Sequence, residues 1–358
     1  MVRSKVSTIV SVLSLLVAVG SIVTLFSVRK AASTGSSRLS ATSYVDDDAA
    51  LSQTPLAIDP AIAAYRQTAQ IAVDFKKVSA LAVDADDRIY VAGDKSLCRY
   101  SPQGKLEKRI PLRYEPTCLT VGNRQHVVPG QIYVGFVDHV EVFKPDGAEE
   151  AVWQGGLGEQ ARFTSICSCE QYIFIADAGQ SVVQRFDWTG KLLESFGESS
   201  PGHFASVVNG TNAPFDLVVG LDDLLYVVNR RDRRVEGYSF QGEVERHWGH
   251  ASPAVEDFAG SSNPAHLAIT ADGRSFVTAE ESPLRVKVYS RSGEFERVVC
   301  GPEGTGPVVA LAADHQQRVL VLDGQARCVR VFEAKRPGAL DKRQNNANTV
   351  ARLAGVYP

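Results

Sequence analysis

Asp216 and His266 stand in matching places along this chain, and together they could serve as an acid–base pair or as metal ligands. Each comes immediately before a short apolar run, Leu217-Val218-Val219 in one case and Leu267-Ala268-Ile269 in the other. Four further runs of the same kind carry Ala80, Cys118, Ile166 and Ala310 in that place, none of which does acid–base chemistry by itself. A zinc site takes three or four protein ligands, and two fall short of that. The pair therefore has two readings, the heart of a metal-assisted or acid–base site, or two polar groups hydrogen-bonded locally at the rim of a channel.

The densest charge feature is VNRRDRRVEGY, which holds Arg230, Arg231, Arg233 and Arg234. Arginines so placed clamp carboxylate or phosphate through their planar fork. The competing reading is a solvated hairpin tip with Asp232 and Glu236 as its own counter-ions. His247 and His250 in HWGH have ligand-like spacing but fall at the end of a strand, where surface histidines are the simpler reading.

The elements that must position these residues show themselves as a repeat. An aromatic followed four residues later by glycine recurs as Tyr100 and Gly104, Phe143 and Gly147, Phe186 and Gly190, Tyr238 and Gly242, Tyr289 and Gly293. Phe332 stands in register without its glycine. The aromatics lie roughly 43 to 52 residues apart, the period of a four-stranded propeller blade. A second marker, an apolar pair two apart, precedes each one: Leu81 and Val83, Leu119 and Val121, Cys167 and Cys169, Leu217 and Val219, Leu267 and Ile269, Leu311 and Ala313. These are the innermost strands, packed between blades. Asp177, Asn229, Glu280 and Asp323 end the second strands of four blades at one offset, which points to a repeated loop hydrogen bond. Blades one and two break that series, their second hairpins being two residues shorter.

The sixth repeat turns polar after Phe332 and lacks a fourth strand, while residues 66–75, RQTAQIAVDF, form an apolar strand with no blade of their own. That strand is placed to complete the last blade and close the ring. The fold class is thus all-β, a six-bladed β-propeller over residues 66–335.

The pattern of Pro, Leu-Ala-Val, Ile-Tyr-Val-Ala and Arg-x-x-x-Phe-x-x-x-Gly resembles the NHL-repeat propellers, with Pro116, Pro214 and Pro264 three residues before their inner strands. The segments IYVAGDKS, DHVEVFKPDG, FIADAG, RRVEGYSFQGEVERHWG and RVKVYSRSGEFERVV are similar to those of uncharacterised membrane-anchored bacterial NHL proteins. The resemblance implies architecture more than activity. Members of that set often carry Gly-Cys-Cys-Asn-Pro entering the fifth blade, where this chain reads Gly260-Ser261-Ser262-Asn263-Pro264, so whatever those cysteines do is not carried over.

Ahead of the propeller, residues 1–5 form a short N-terminal segment, and residues 6–28 carry no charge and are flanked by Arg3, Lys5, Arg29 and Lys30. As a helix this stretch would reach ~35 Å, enough to span a bilayer as a retained signal-anchor. Basic residues balance across it, and we take the propeller to lie outside the cytoplasm. Residues 31–60 read as a flexible linker and residues 336–358 as a polar tail. The net charge of -3 argues against a whole-protein field for nucleic acid, and the arginine run lacks interleaved aromatics.

Outside the cytoplasm six cysteines invite pairing, but the register opposes most pairs. Cys167 and Cys169 occupy core slots ~6.6 Å apart, at the edge of disulfide reach. Cys98 and Cys328 fall at equal parity on third strands of neighbouring blades, so they do not face each other. Cys118 and Cys300 stay open.

Together these features describe a membrane-tethered propeller that binds a protein or small-molecule ligand. No cofactor is predicted. The alternative is a propeller hydrolase or lyase using a divalent metal in the channel near Asp216 and His266.

Overall fold

The computed structural model describes residues 58–59, 62–154, 160–197, 214–260 and 263–335. The short N-terminal segment, the span at 6–28, nearly all of the linker and the tail at 336–358 lie outside the described residues. Among the described residues no helix is long and apolar enough to cross a membrane.

Six four-stranded antiparallel sheets contain every named strand. Five are simple meanders, within residues 78–111, 118–153, 163–197, 217–248 and 266–300. The sixth combines three strands within residues 308–334 with the N-terminal strand Tyr65–Ala72, which takes the outermost place. Each innermost strand touches those of both neighbouring blades, the sixth touches the first, and the ring is closed. Strand register joins Tyr65 to Ala334 and Ala72 to Cys328, with an irregularity between Gln67 and Ala69. Ala63 also bridges to Val298 of blade five, and the Ile58 side chain lies against Gly301, so among the described residues contact with the ring extends back to Ile58.

The core is six wedges, one in each gap between blades, and this follows from sheets whose two faces are both apolar. Second strands such as Ile89–Gly93 and Leu225–Asn229 are buried at every position. Fourth strands such as Val244–Trp248 bury one residue only.

The aromatic–glycine marker is the turn between third and fourth strands. Gly104, Gly147, Gly190, Gly242 and Gly293 all have φ between 84° and 92°, and each turn is flanked by a bulge where the aromatic pairs with the fourth strand. A Cβ at these glycines would strike, in order, Ile71, Ile110, Trp153, Phe196 and Trp248, the buried fourth-strand residue of the preceding blade. Phe332 lacks the glycine because blade six has no such turn, its fourth strand arriving from the N-terminus.

The four second-strand ends do accept loop hydrogen bonds. Asp177 Oδ1 accepts from the N–H of Gly179 (3.0 Å) and Arg162 (2.8 Å). Asn229 Oδ1 accepts from Asp232 N–H (2.9 Å), and Asp323 Oδ1 from Ala326 N–H (2.8 Å). Glu280 instead reaches the connector entering its blade, accepting from Ala259 N–H (3.0 Å). Each also meets the residue seven places on: Gln184 Nε2 to Asp177 (3.3 Å), Asn229 Nδ2 to Glu236 (2.9 Å), Lys287 Nζ to Glu280 (3.4 Å), Arg330 Nε to Asp323 (2.8 Å).

All six cysteines are free, five of them buried. Cys167 packs in the wedge between blades three and four, with Cys169 partly buried beside it.

Candidate functional site

The six innermost strands enclose a central cavity of about 530 Å³. Ala80, Cys118, Ile166, Asp216, His266 and Ala310 all line it, as equivalent places in a ring require. Among the described residues its Asp, Glu, Arg and His lining consists of Asp216, Arg230, His266 and Glu281. All four sit at one mouth, on blades four and five.

Asp216 and His266 are brought together, with Oδ2 3.5 Å from His266 Nδ1. That carboxylate is thoroughly occupied. Oδ1 accepts from Ser165 Oγ (2.5 Å) of blade three and from Leu217 N–H (2.9 Å), and Oδ2 accepts from Leu267 N–H (3.1 Å). It thereby staples the starts of three inner strands and holds the imidazole from its Nδ1 side. A carboxylate has about four lone-pair positions, and three of them already accept hydrogen bonds, with the imidazole next to the fourth. Among the described residues no group of three or more His, Cys, Asp and Glu is placed to hold a metal ion.

The arginine run is divided by its own geometry. Arg230 turns into the channel mouth, where Nη2 meets Glu281 Oε2 of the next blade (3.1 Å) and Nη1 donates to Pro214 O (3.4 Å). Arg234 turns back to the sheet, paired with buried Glu236 (2.5 Å) and with Asp232 (3.3 Å). Arg233 occupies the left-handed turn position, φ 54°, and Arg231 is exposed. The four guanidinium groups therefore do not converge on one clamp; Arg230 alone joins Asp216 and His266. His247 and His250 lie on the surface, His250 beside Asp257 (3.0 Å).

His266 is delivered by the connector between blades four and five, and a buried cluster fastens that connector. Lys287 Nζ donates to the carbonyls of Val255 (3.1 Å) and Asp257 (2.5 Å), next to the rings of Phe258 and Tyr289. Glu280 holds Arg285 Nε (2.6 Å) as well as Ala259 N–H. Burial pushes the Lys287 ammonium down to about 8, against the pull of Glu280. Asn263 completes the fastening, donating to the carbonyls of Ala259 and Ser282 and accepting from Glu281 N–H (2.7 Å). The Asn-Pro of the fifth-blade motif thus ties Glu281 to the strand that starts with His266.

Glu281 and Ser165 were not singled out from the sequence. Glu281 occupies the slot of Arg230 one blade on, each directly following a second-strand end, so aligning that slot across blades would have found it. Ser165 precedes Ile166 in a slot that reads Ser79, Thr117, Ser165, Phe215, Ala265 and Val309, a weaker signal.

No protein-family model matches the chain, and no curated protein matches it in sequence. Solved structures do match its fold. The WD40 β-propeller domain of Doa1 superposes with a TM-score of 0.52 at 12% identity, covering 75% of this chain and 97% of that one. A catalytically inactive virginiamycin B lyase from Staphylococcus aureus, with quinupristin, gives 0.51 at 12% identity, covering 71% and 80%. The chain is a six-bladed β-propeller, and these likenesses concern the fold alone.

Proposed function

We propose that this protein is a binding module of the NHL-repeat type, tethered by residues 6–28 with its propeller outside the cytoplasm, and that its ligand enters the central channel. The observation that carries the reading is the gathering of Asp216, Arg230, His266 and Glu281 at one mouth of a cavity otherwise uncharged among the described residues. A cavity of about 530 Å³ is of the size that takes small molecules. Arg231, exposed on the same hairpin outside the channel, and Arg233 beside it place positive charge at the rim, where a protein partner would dock. Nucleic acid does not suit this site, whose two carboxylates would oppose phosphate.

The test is native mass spectrometry of the full chain extracted from its own membrane. The wild type should retain a small molecule that Ala310→Phe, which fills the channel, releases. Retention by both would place the ligand elsewhere.

The second reading is a lyase or hydrolase, as in the virginiamycin B lyase of similar fold. What favours it is an imidazole held by a carboxylate at a channel mouth, an arrangement suited to moving protons. Stoichiometric metal that is lost in His266→Ala, found by elemental analysis, would support that enzyme over the binding module.

The tether has its own test. A cysteine introduced at Ser40 should react with a membrane-impermeant thiol reagent on intact cells, over a low background because five native cysteines are buried. Labelling only after lysis would reverse the orientation.

A further inference from the structure

We infer that the molecule bound in the channel carries a single carboxylate on an uncharged body, and that its carboxylate binds Arg230 in place of Glu281. This rests on the channel reading above and adds the chemistry of the ligand. The two members of the Arg230–Glu281 pair are unequal. The Arg230 side chain is 16% exposed and braced by the Pro214 carbonyl, whereas that of Glu281 is 52% exposed. Turning Glu281 out to water sacrifices little, because exposed ion pairs contribute little. Withdrawing Arg230 would abandon a covered guanidinium. The exchangeable member is therefore the carboxylate, and Glu281 itself shows that a carboxylate fits here at 3.1 Å.

Charge narrows the head group further. An incoming carboxylate that replaces Glu281 leaves Arg230 neutralised as before. A dianionic phosphate would add a second negative charge beside Asp216 with no second guanidinium among the described residues of the channel lining. An ammonium head finds Asp216 already accepting from Ser165, Leu217 and Leu267, with the His266 ring beside it. Across the ring from blades four and five the wall is Ala80, Ala82 and Cys118 with Ser79, Thr117 and Thr120 among them, and beside them Val309 and Ala310, all uncharged, so the body of the ligand meets a surface without charge.

Octanoate, octylamine and octanol serve as probes of equal length, measured by equilibrium dialysis against the full chain in detergent. Octanoate should bind best. Its affinity should fall about tenfold in Arg230→Gln, the loss of a charge-assisted pair, and rise severalfold in Glu281→Gln, which removes the internal competitor. A gain in Glu281→Gln does not come from structural damage. Octylamine binding as well as octanoate, octanoate indifferent to Arg230→Gln, or weaker binding in Glu281→Gln would each overturn the carboxylate inference. Filling the channel with Ala310→Phe, or with Ala80→Leu if the former melts early, separates the two readings. Octylamine or octanol binding as tightly as octanoate and lost on filling leaves the channel standing and sinks the carboxylate head, whereas binding of all three probes unaltered by filling sinks both.

Discussion

Gln184, Glu236, Lys287 and Arg330 occupy one position of four successive blades, and each meets the residue seven places before it. The earlier members of these pairs were legible in the sequence because Asp, Asn, Glu and Asp recur there in similar roles. The later members were not, since they change from amide to acid to base and share only their complementarity. For the same reason Asp216 and His266 stood out in an aligned slot, while Glu281, opposite in charge to Arg230 in the slot they share, did not. Blade five is the extreme case, because Lys287 is wholly buried and its ammonium is pushed down to about 8 from 10.5. Between those values the unfolded chain binds more protons than the folded one, so this group makes stability rise with pH. Below about 8 both states are protonated and the burial penalty is present in full. The stability of the wild type relative to Lys287→Met, from urea titrations, should be flat up to about pH 8 and then climb by as much as ~3 kcal/mol towards pH 10.5. Tyrosine and cysteine titrations are common to both chains and cancel. A difference that stays level or falls through that window would show that Glu280 keeps Lys287 charged.

At the scale of the element, the turn between third and fourth strands does two jobs with one glycine. Its positive φ suits the bulged hairpin, and its missing Cβ admits the fourth-strand side chain of the preceding blade. This explains why the marker was so regular in the sequence: any other residue would be strained and would also push the neighbouring blade away. Gly190→Ala should therefore destabilise by at least about 1 kcal/mol, more than conformation alone requires, because the new methyl lands on the Trp153 indole. Urea midpoints for Gly190→Ala and for Thr189→Ala in the same turn make the comparison. Equal midpoints would mean the blades are free to part. The hairpin between second and third strands was less legible. Its four arginines look alike in the sequence, yet register sends Arg230 to the channel and Arg234 to Glu236, and only strand pairing separates them.

For the whole molecule, the decisive element is the strand that arrives from the wrong end of the chain. Tyr65–Ala72 pairs along the third strand of blade six, and Ile71, Val73 and Phe75 enter the wedge between blades six and one. It was legible as an apolar strand without a blade facing a blade without its fourth strand. Its start was not, because the ties of Ala63 and Ala64 to Val298 are backbone contacts that leave no side-chain pattern. A chain beginning at Ile58 keeps every one of these contacts and should melt like the chain beginning at Ala31. A chain beginning at Lys77 loses three buried apolar side chains, on the order of 5 kcal/mol or more, comparable with the whole margin of a typical domain. It also bares the backbone edge of Cys328–Ala334, an open invitation to another strand. We expect it to aggregate or to melt without cooperativity, and a synthetic peptide of residues 58–76 added in trans to restore the melt, since the strand is joined to its blade by pairing and not by sequence. Equal melting temperatures for the chains beginning at Ile58 and Lys77 would show that five blades and a three-stranded sixth suffice to hold the ring, and closure by the N-terminal strand would then be incidental to its stability.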